Sequence, residues 1–151
     1  MKSINYIFLL LAILHLFTFT QCTTEGCTDE TSFIYNEKAD EDDGTCRYRT
    51  RYVFWWQEPT AEILLQSEIQ QIFFYIDGEP FGKENVRNFN AAPPECNLNM
   101  PYSGEFSMGG DATGTYFYLV IDQDSNELFS GRINVKDATV CHSVELDWFG
   151  E

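Results

Sequence analysis

Apolar and polar side chains alternate with a period of two along most of the chain after residue 47. The clearest case is Gln70 to Ile76, where Ile72, Phe74 and Ile76 share one face of an extended backbone. Successive side chains point to opposite faces of a strand, so this pattern predicts β-structure. The predicted strands are Arg47 to Trp56, Gln70 to Ile76, Glu79 to Lys83, Glu105 to Met108, Thr115 to Asp122, Leu128 to Val135 and Cys141 to Leu146.

The segments between these strands carry turn and loop residues. Asp77-Gly78 predicts a tight hairpin turn, because both residue types tolerate the required positive φ angles. The Asn- and Pro-rich segment Glu84 to Ser103 predicts a long loop. Thr60 to Ser67 fits either one helical turn or an edge segment of a sheet. Val53 to Trp56 is apolar on both faces, which predicts a strand covered on both sides.

Short strands at regular spacing predict an all-β fold. The expected architecture is an immunoglobulin-like or transthyretin-like antiparallel β-sandwich over residues 49–151. Aromatic residues make up 16% of the chain, which supplies enough large apolar side chains for the core of one domain. Residues 22–48 lack this periodicity and predict a short irregular segment before the sandwich.

The N-terminus predicts a signal peptide. Ile4 to Phe19 is almost wholly apolar, and Cys22 follows soon after it. The uninterrupted apolar stretch is short for a bilayer span, which needs roughly 20 residues, so residues 1–21 are expected to be a cleaved signal helix. The cysteine predicts a lipoprotein in which Cys22 becomes the first residue and carries fatty acids such as palmitate. Phe19 and Gln21 depart from the usual lipidation signal, so ordinary secretion and a retained anchor remain alternatives.

The chain has five cysteines, and an odd number in an exported protein requires an explanation. Acylation of Cys22 leaves four that can form disulfides in the oxidising cell envelope. By neighbourhood in the sequence, Cys27 would pair with Cys46. The other disulfide would then join Cys96 to Cys141, although two other pairings exist. A zinc site is the functional alternative, but the sequence lacks the closely spaced cysteine pairs of zinc knuckles.

Gly26 to Tyr48 reads G-C-T-D, then Y-N, then D-D-G-T-C-R-Y. This pattern resembles a disulfide-closed cassette that recurs in secreted and lipid-anchored proteins of the bacterial envelope. The resemblance implies that the cassette lies between a lipidated cysteine and a small β domain. The Phe54-Trp55-Trp56 strand, the hairpin at Tyr75 to Glu79 and the late Cys141 also resemble the β domains of such lipoproteins. The likeness implies location and fold more than activity.

An acidic cluster in the cassette suggests a weak calcium site. Asp40, Asp42 and Asp43 offer the hard oxygen ligands that Ca²⁺ prefers, and Gly44 allows a sharp turn. The spacing fails the EF-hand template, because the twelfth position of the loop would be Thr50 rather than Glu. The alternative interpretation is an Asp-Gly turn beside a disulfide, with no resident metal.

Exposed aromatic rings would give a glycan-binding platform, because the apolar face of a sugar packs on a flat ring. Trp55 and Trp56 are neighbours on one strand and must point to opposite faces. The alternative is that the rings belong to the core. The candidate residues for stacking on a glycan are Trp55, Trp56, Tyr102, Tyr118 and Trp148.

A catalytic centre is not expected. His142 is the one histidine outside the signal, and it neighbours a cysteine assigned to a disulfide. A nucleophilic triad needs a base beside a free nucleophile, so His142 is expected to have no catalytic role. The 24 acidic residues make chance carboxylate pairs inevitable, and none is singled out as a glycosidase pair. No cofactor is predicted.

The formal net charge of −15 repels phosphate backbones, so no nucleic-acid partner is expected. Arg47, Arg49 and Arg51 form the main basic concentration, which would either pair with glutamates across strands or dock on lipid head groups. We expect a non-enzymatic protein anchored to the outer membrane, on its periplasmic or surface face. Its expected role is binding or display, with the membrane as partner through the anchor and an envelope protein or a polysaccharide as ligand.

Overall fold

The computed structural model describes residues 23–96, 100 and 102–148. The predicted signal helix and the lipidation site at Cys22 lie outside the described residues. The described chain is built mainly of β-strands, with one α-helix. The elements are β1 (Glu25–Gly26), β2 (Glu41–Asp42), β3 (Tyr48–Trp55), α1 (Glu58–Gln66), β4 (Gln71–Ile76), β5 (Glu79–Asn85), β6 (Ser103–Gly109), β7 (Gly114–Asp122), β8 (Glu127–Val135) and β9 (Cys141–Glu145).

Two sheets form a β-sandwich, which confirms the predicted all-β fold. The three-stranded sheet has the order β6-β3-β9, and the four-stranded sheet has the order β5-β4-β7-β8. The two sheets meet through apolar side chains: Phe54 of β3 stacks on Phe74 of β4 with ring centroids 4.9 Å apart. Both rings are fully buried, so this contact lies at the centre of the core.

The prediction of a wholly antiparallel sandwich is wrong at one strand pair. β9 runs parallel to β3, with Tyr52 opposite His142 and Phe54 opposite Val144. The three strands of this sheet never follow one another directly in the chain. No hairpin therefore forces neighbouring strands of the sheet to run in opposite directions.

β3 is the central strand of its sheet and changes character along its length. Its first half alternates, with Arg49 and Arg51 exposed and the residues between them buried. From Val53 onward every residue of the strand is buried, as the apolar run at Val53 to Trp56 predicted. Trp56 follows the strand, is fully buried, and donates a hydrogen bond from Nε1 to the Val86 carbonyl at 2.8 Å.

The segment that fitted either a helical turn or an edge segment is helical. Pro59 lies in the first turn of α1, where its missing N–H costs nothing. Thr60, Ala61 and Leu64 form the buried side of the helix. In the described part of the chain, no helix is long and apolar enough to cross a membrane.

Glu68 ends the helical region with a positive φ of 63°. Residues with a Cβ atom are strained in this region by roughly 1–2 kcal/mol, whereas glycine is not. Because the Glu68 side chain is exposed, we expect Glu68→Gly to raise the free energy of unfolding by about 0.5–1 kcal/mol, after the greater entropy of glycine in the unfolded chain is included. Urea denaturation measures this change. Ser67→Gly is the matched control: with φ at −87° it should be destabilising, and equal gains at both positions would contradict the explanation.

The hairpin turn is where the sequence places it. Asp77 and Gly78 both have positive φ angles, 47° and 81°, and join β4 to β5. The Asp77 carboxylate also accepts a hydrogen bond from the Phe117 N–H at 2.8 Å. The turn is thereby tied to β7, the other neighbour of β4.

Both disulfides predicted by neighbourhood are present. Cys27–Cys46 has a Cα–Cα distance of 4.8 Å, and Cys96–Cys141 has one of 6.1 Å. The first closes the cassette, and the second ties the long loop to the first residue of β9. Because all four sulfurs are used in disulfides, the zinc alternative is wrong.

The cassette packs against the start of β3, which begins at the last residue of the cassette, Tyr48. Its disulfide is buried in the same apolar cluster as Tyr48 and Met108. The Ser32 hydroxyl donates to the Arg47 carbonyl at 2.8 Å and accepts from the Arg47 N–H at 3.0 Å. The Tyr48 hydroxyl donates to the Asp29 carboxylate at 2.5 Å. These contacts make the cassette a folded extension of the sandwich.

The Tyr48–Asp29 bond predicts an unusual titration. The hydrogen bond to Asp29, followed by burial, raises the pKa of Tyr48 from 10.0 to about 12. A raised tyrosine pKa stabilises the folded state below pH 10, and this contribution is lost as the pH rises from 10 to about 12. In absorbance titration at alkaline pH, we expect Asp29→Asn to return one tyrosine toward its ordinary pKa. Asp43→Asn, a change elsewhere in the cassette, should leave the titration unchanged. The same shift in both variants would contradict the pairing.

Candidate functional site

The two sheets leave an open seam between β8 and β9. β8 pairs on one side with β7, and β9 pairs on one side with β3. Each is therefore an edge strand with backbone groups turned toward the seam. The opposite seam, between β5 and β6, holds the Phe81 ring, which lies 3.1 Å from where a Cβ on Gly104 would be, and a smaller depression of about 380 Å³.

A groove of about 500 Å³ occupies the β8/β9 seam. A second depression of about 440 Å³ continues along the same two strands and shares Tyr118 and Glu145 with the first. The two together extend from Trp148 at one end to Asn134 and His142 at the other. We call this feature the seam groove. The residues that line its first part are Tyr118, Leu128, Phe129, Ser130, Glu145, Asp147 and Trp148.

Trp148 gives the groove an accessible aromatic ring. The side chain is 43% exposed and packs edge-on against Phe129, with ring centroids 5.7 Å apart and an interplanar angle of 87°. The backbone N–H of Trp148 donates a hydrogen bond to the Thr60 hydroxyl of α1 at 3.3 Å, which fixes the chain beyond β9. The indole is thus held at the mouth of the groove with part of its surface available to a ligand.

Tyr118 forms part of the floor, and Gly131 makes room for it. A Cβ on Gly131 would lie 2.6 Å from the Tyr118 ring, so the tyrosine lies directly over the β8 backbone. The ring also packs edge-on against Phe54 at 5.6 Å. The Tyr118 phenol is protonated at neutral pH, as tyrosine ordinarily is, and is able to donate a hydrogen bond; burial raises its pKa further.

The polar residues of the groove differ between its two parts. At the Trp148 end, the lining includes Glu145, whose carboxylate accepts a hydrogen bond from the Gln57 side chain at 2.7 Å. At the other end it includes Arg132 and Asn134. The groove therefore combines an apolar floor with the Glu145 carboxylate, an arrangement suited to a polar ligand with apolar faces. The Arg132 guanidinium lies over the outward-facing Phe117 ring, 5.0 Å from its centroid, and the Asn134 side chain accepts a hydrogen bond from the Thr115 hydroxyl at 2.8 Å.

Most of the predicted aromatic platform is wrong. Trp55, Trp56 and Tyr102 are 4%, 0% and 5% exposed, so none of them offers a ring face to a sugar. Tyr102 packs edge-on against Trp56 at 6.1 Å, within the core. Of the five candidates, Trp148 is accessible, and Tyr118 joins it in the groove while remaining half-buried. Phe129, which also lines the groove, is not among the candidates from the sequence, because its accessibility depends on β8 being an edge strand.

The aspartates proposed for calcium do not converge on one point. The Asp42 carboxylate accepts the Gly44 N–H at 3.0 Å, and the Asp43 carboxylate accepts the Thr45 N–H at 2.9 Å. Hydrogen bonds from Thr45 lower the pKa of Asp43. Asp40 is exposed on the same turn. Within the described residues, no group of three or more His, Cys, Asp or Glu side chains is placed to hold a metal ion. The geometry matches the alternative interpretation, a turn beside a disulfide.

His142 faces the core rather than a nucleophile. Its ring lies 5.6 Å from that of Tyr52, which is fully buried, and burial raises the pKa of Tyr52. The neighbouring Cys141 is held in a disulfide. Among the described residues, neither His142 Nε2 nor the Tyr52 hydroxyl has a hydrogen-bond partner, although both atoms are enclosed.

Two of the three arginines in the basic concentration, Arg47 and Arg49, make contacts with nearby residues. Arg49 forms an ion pair with Glu105 of β6 at 3.6 Å, as predicted for cross-strand pairing. The Arg47 guanidinium donates to the carbonyl groups of Cys46 at 2.7 Å and Thr45 at 3.0 Å. The ion pair between Arg49 and Glu105 is exposed, and exposed ion pairs contribute little to stability.

Comparison of the chain with known protein families, with curated proteins and with solved structures finds no significant match in any of the three.

Proposed function

We propose that this protein is a non-enzymatic binding module of the bacterial cell envelope, anchored to the outer membrane by acylation of Cys22. The anchor is supported by the apolar run that ends just before Cys22. The resemblance of Gly26 to Tyr48 to a cassette of lipid-anchored proteins also supports it. The two disulfides fit an exported protein in an oxidising compartment.

The seam groove is the proposed ligand site, and it carries the proposal. It lies between two edge strands and combines an accessible ring with an apolar floor and polar groups along its sides. Ligand sites of proteins share this composition. An extended segment of an envelope protein fits such a seam, because its backbone can form hydrogen bonds with the free edges of β8 and β9.

Photocrosslinking in intact cells tests this assignment. A photoreactive phenylalanine analogue at Ser130, an exposed residue of the groove, should crosslink the ligand. The same analogue at Phe89, an exposed position in the loop after β5 that lines neither part of the groove, is the control. We expect a discrete crosslinked product from position 130 alone. Equal products from both positions, or none from position 130, would contradict the groove as the binding site.

Trp148 favours a second candidate function, glycan binding. An exposed indole beside carboxylate and hydroxyl groups is able to stack on a sugar ring and bond its hydroxyls. If the ligand is a polysaccharide, Trp148→Ala should weaken binding by about three- to tenfold, as expected for the loss of one aromatic stacking contact. Isothermal titration against envelope polysaccharides measures the change, with Phe89→Ala, a change outside the groove, as the control. Unchanged affinity in Trp148→Ala would exclude stacking at this position.

The anchor has its own test. Mass spectrometry of the mature N-terminus should find an acylated Cys22 as the first residue. Cys22→Ala should leave the protein out of the membrane fraction. A mature chain that begins before Cys22, or that carries no acyl group, would reject the lipoprotein assignment without bearing on the seam groove.

A further inference from the structure

One turn of the cassette exposes three consecutive apolar side chains. Phe33, Ile34 and Tyr35 are 47%, 40% and 41% exposed. They follow Ser32 in the loop closed by the Cys27–Cys46 disulfide. We call these three residues the apolar tip. Single exposed apolar residues are ordinary on a protein surface, but a contiguous group indicates contact with another apolar phase.

The apolar tip is held in its exposed position. The Tyr35 N–H donates to the Ser32 carbonyl at 3.1 Å, and the Ile34 N–H donates to the Ser32 hydroxyl at 3.3 Å. Just beyond the tip, the Asn36 N–H donates to the Cys27 carbonyl at 2.9 Å. These bonds fix the conformation of the turn in which the three side chains are exposed.

The apolar tip also lies beside the segment that leads to the proposed anchor. The Asn36 side chain packs against Gly26: a Cβ added to Gly26 would lie 2.8 Å from Asn36 Nδ2. Upstream, the Thr24 carbonyl accepts the Asp40 N–H at 2.8 Å, which fixes the chain two residues after Cys22. Two residues span at most about 7 Å. An acylated Cys22 would therefore hold this face of the cassette at the membrane surface.

Acidic and basic side chains both lie around the apolar tip, since Glu30 and Glu37 are exposed on either side of it in the sequence. The Arg49 guanidinium lies over the Phe33 ring, 3.8 Å from its centroid. Lys38 is exposed three residues after Tyr35. Aromatic rings with basic side chains beside them are typical of the membrane–water interface, where the rings lie at the level of the head groups and the cations reach the phosphates.

We propose that the apolar tip inserts into the interfacial layer of the membrane beside the lipidated Cys22. This inference rests on the anchor in the proposed function. The occupant of the surface is the bilayer itself, with phosphate groups next to Arg49 and the upper parts of the acyl chains, near the glycerol, next to Ile34. The tip and the anchor together fix two points of contact, which limits the tilt of the protein on the membrane.

Quenching by brominated lipids tests the insertion. The mature full chain, purified with its lipid, is reconstituted in vesicles of phosphatidylethanolamine and phosphatidylglycerol brominated in the upper acyl chain. Tyr35→Trp places a reporter in the tip, and Phe117→Trp is the control on the other sheet. We expect the additional emission of Tyr35→Trp to fall by about half or more, whereas that of Phe117→Trp stays unchanged. Adding Phe33→Ser and Ile34→Ser to Tyr35→Trp should reduce the quenching at least about twofold.

The same preparation separates failure of the tip from failure of the anchor. The mass of the N-terminal peptide reports whether Cys22 is acylated. An acylated chain without quenching at position 35 overturns the inference and leaves the proposed anchor intact. A chain without acylation rejects both. A blue shift at position 35 that grows with protein concentration, without bromine quenching, assigns the tip to contact between copies and also overturns the inference.

Discussion

Replacing Trp56 by alanine is expected to lower the free energy of unfolding by about 3–5 kcal/mol, the usual cost of deleting a fully buried Trp side chain. Trp56 has no exposed surface and packs against Phe74 and Tyr102, with ring centroids 6.3 Å and 6.1 Å away. Its indole also satisfies the Val86 carbonyl. The substitution therefore leaves a cavity and a buried acceptor without its donor. Urea denaturation, followed by far-UV circular dichroism, measures the loss.

Two further variants separate the contributions at this position. Trp56→Phe keeps an aromatic ring but removes the donor to Val86, so it should cost about 1–3 kcal/mol. Phe89→Ala removes a ring that is 41% exposed and should change stability by no more than about 0.5 kcal/mol. If Trp56→Ala proves as mild as Phe89→Ala, the packing of the core around Phe54 and Phe74 is not as described.

The second large effect is expected from the disulfides. Cys96 and Cys141 are 45 residues apart in sequence, whereas Cys27 and Cys46 are 19 apart. A crosslink that closes a longer loop removes more entropy from the unfolded chain. Replacing Cys96 and Cys141 by alanine should cost about 4 kcal/mol, and replacing the cassette pair should cost about 3 kcal/mol.

Each disulfide variant should also have a distinct structural effect. Cys141 is the first residue of β9, so loss of its disulfide should loosen the edge strand and the seam groove beside it. Loss of the cassette disulfide should instead free the residues before β3. Hydrogen exchange of the two double variants measures which backbone amides lose protection. Loss of protection in β9 after removal of the cassette pair alone would contradict this division.

The local features of the fold were predictable from the sequence. Alternation identified β4 and β7, and Asp77-Gly78 identified the hairpin, because strand periodicity and turn conformation depend on neighbouring residues. The pairing of Cys27 with Cys46 also followed from proximity along the chain. The helix at Glu58–Gln66 does not follow from the sequence, since nine residues give too short a pattern to distinguish a helix from an edge segment of a sheet.

The site could not be predicted, because it depends on which strands lack a neighbour. Nothing local in β8 or β9 indicates that each pairs on one side only, or that β9 runs parallel to β3. The same limit explains the error at Trp55 and Trp56. Their opposite orientations were expected, but both faces of the chain are covered at this point, so both rings are buried. Trp148 is accessible because it follows the last strand, beyond the packed core.

The parallel pairing of β3 and β9 has a mechanical consequence. The cassette joins β3 at Tyr48, whereas the chain leaves β9 at Glu145, which lies opposite Trp55 at the far end of β3. If the protein is anchored at Cys22 and holds a ligand at the Trp148 end of the seam groove, as proposed, tension between the two would pull the strands along their axes in opposite directions. The load would then act in shear on all their hydrogen bonds at once, instead of opening them one by one from an end. The paired strands β3 and β9 would thus resist being pulled apart by a force that acts between the membrane and the ligand.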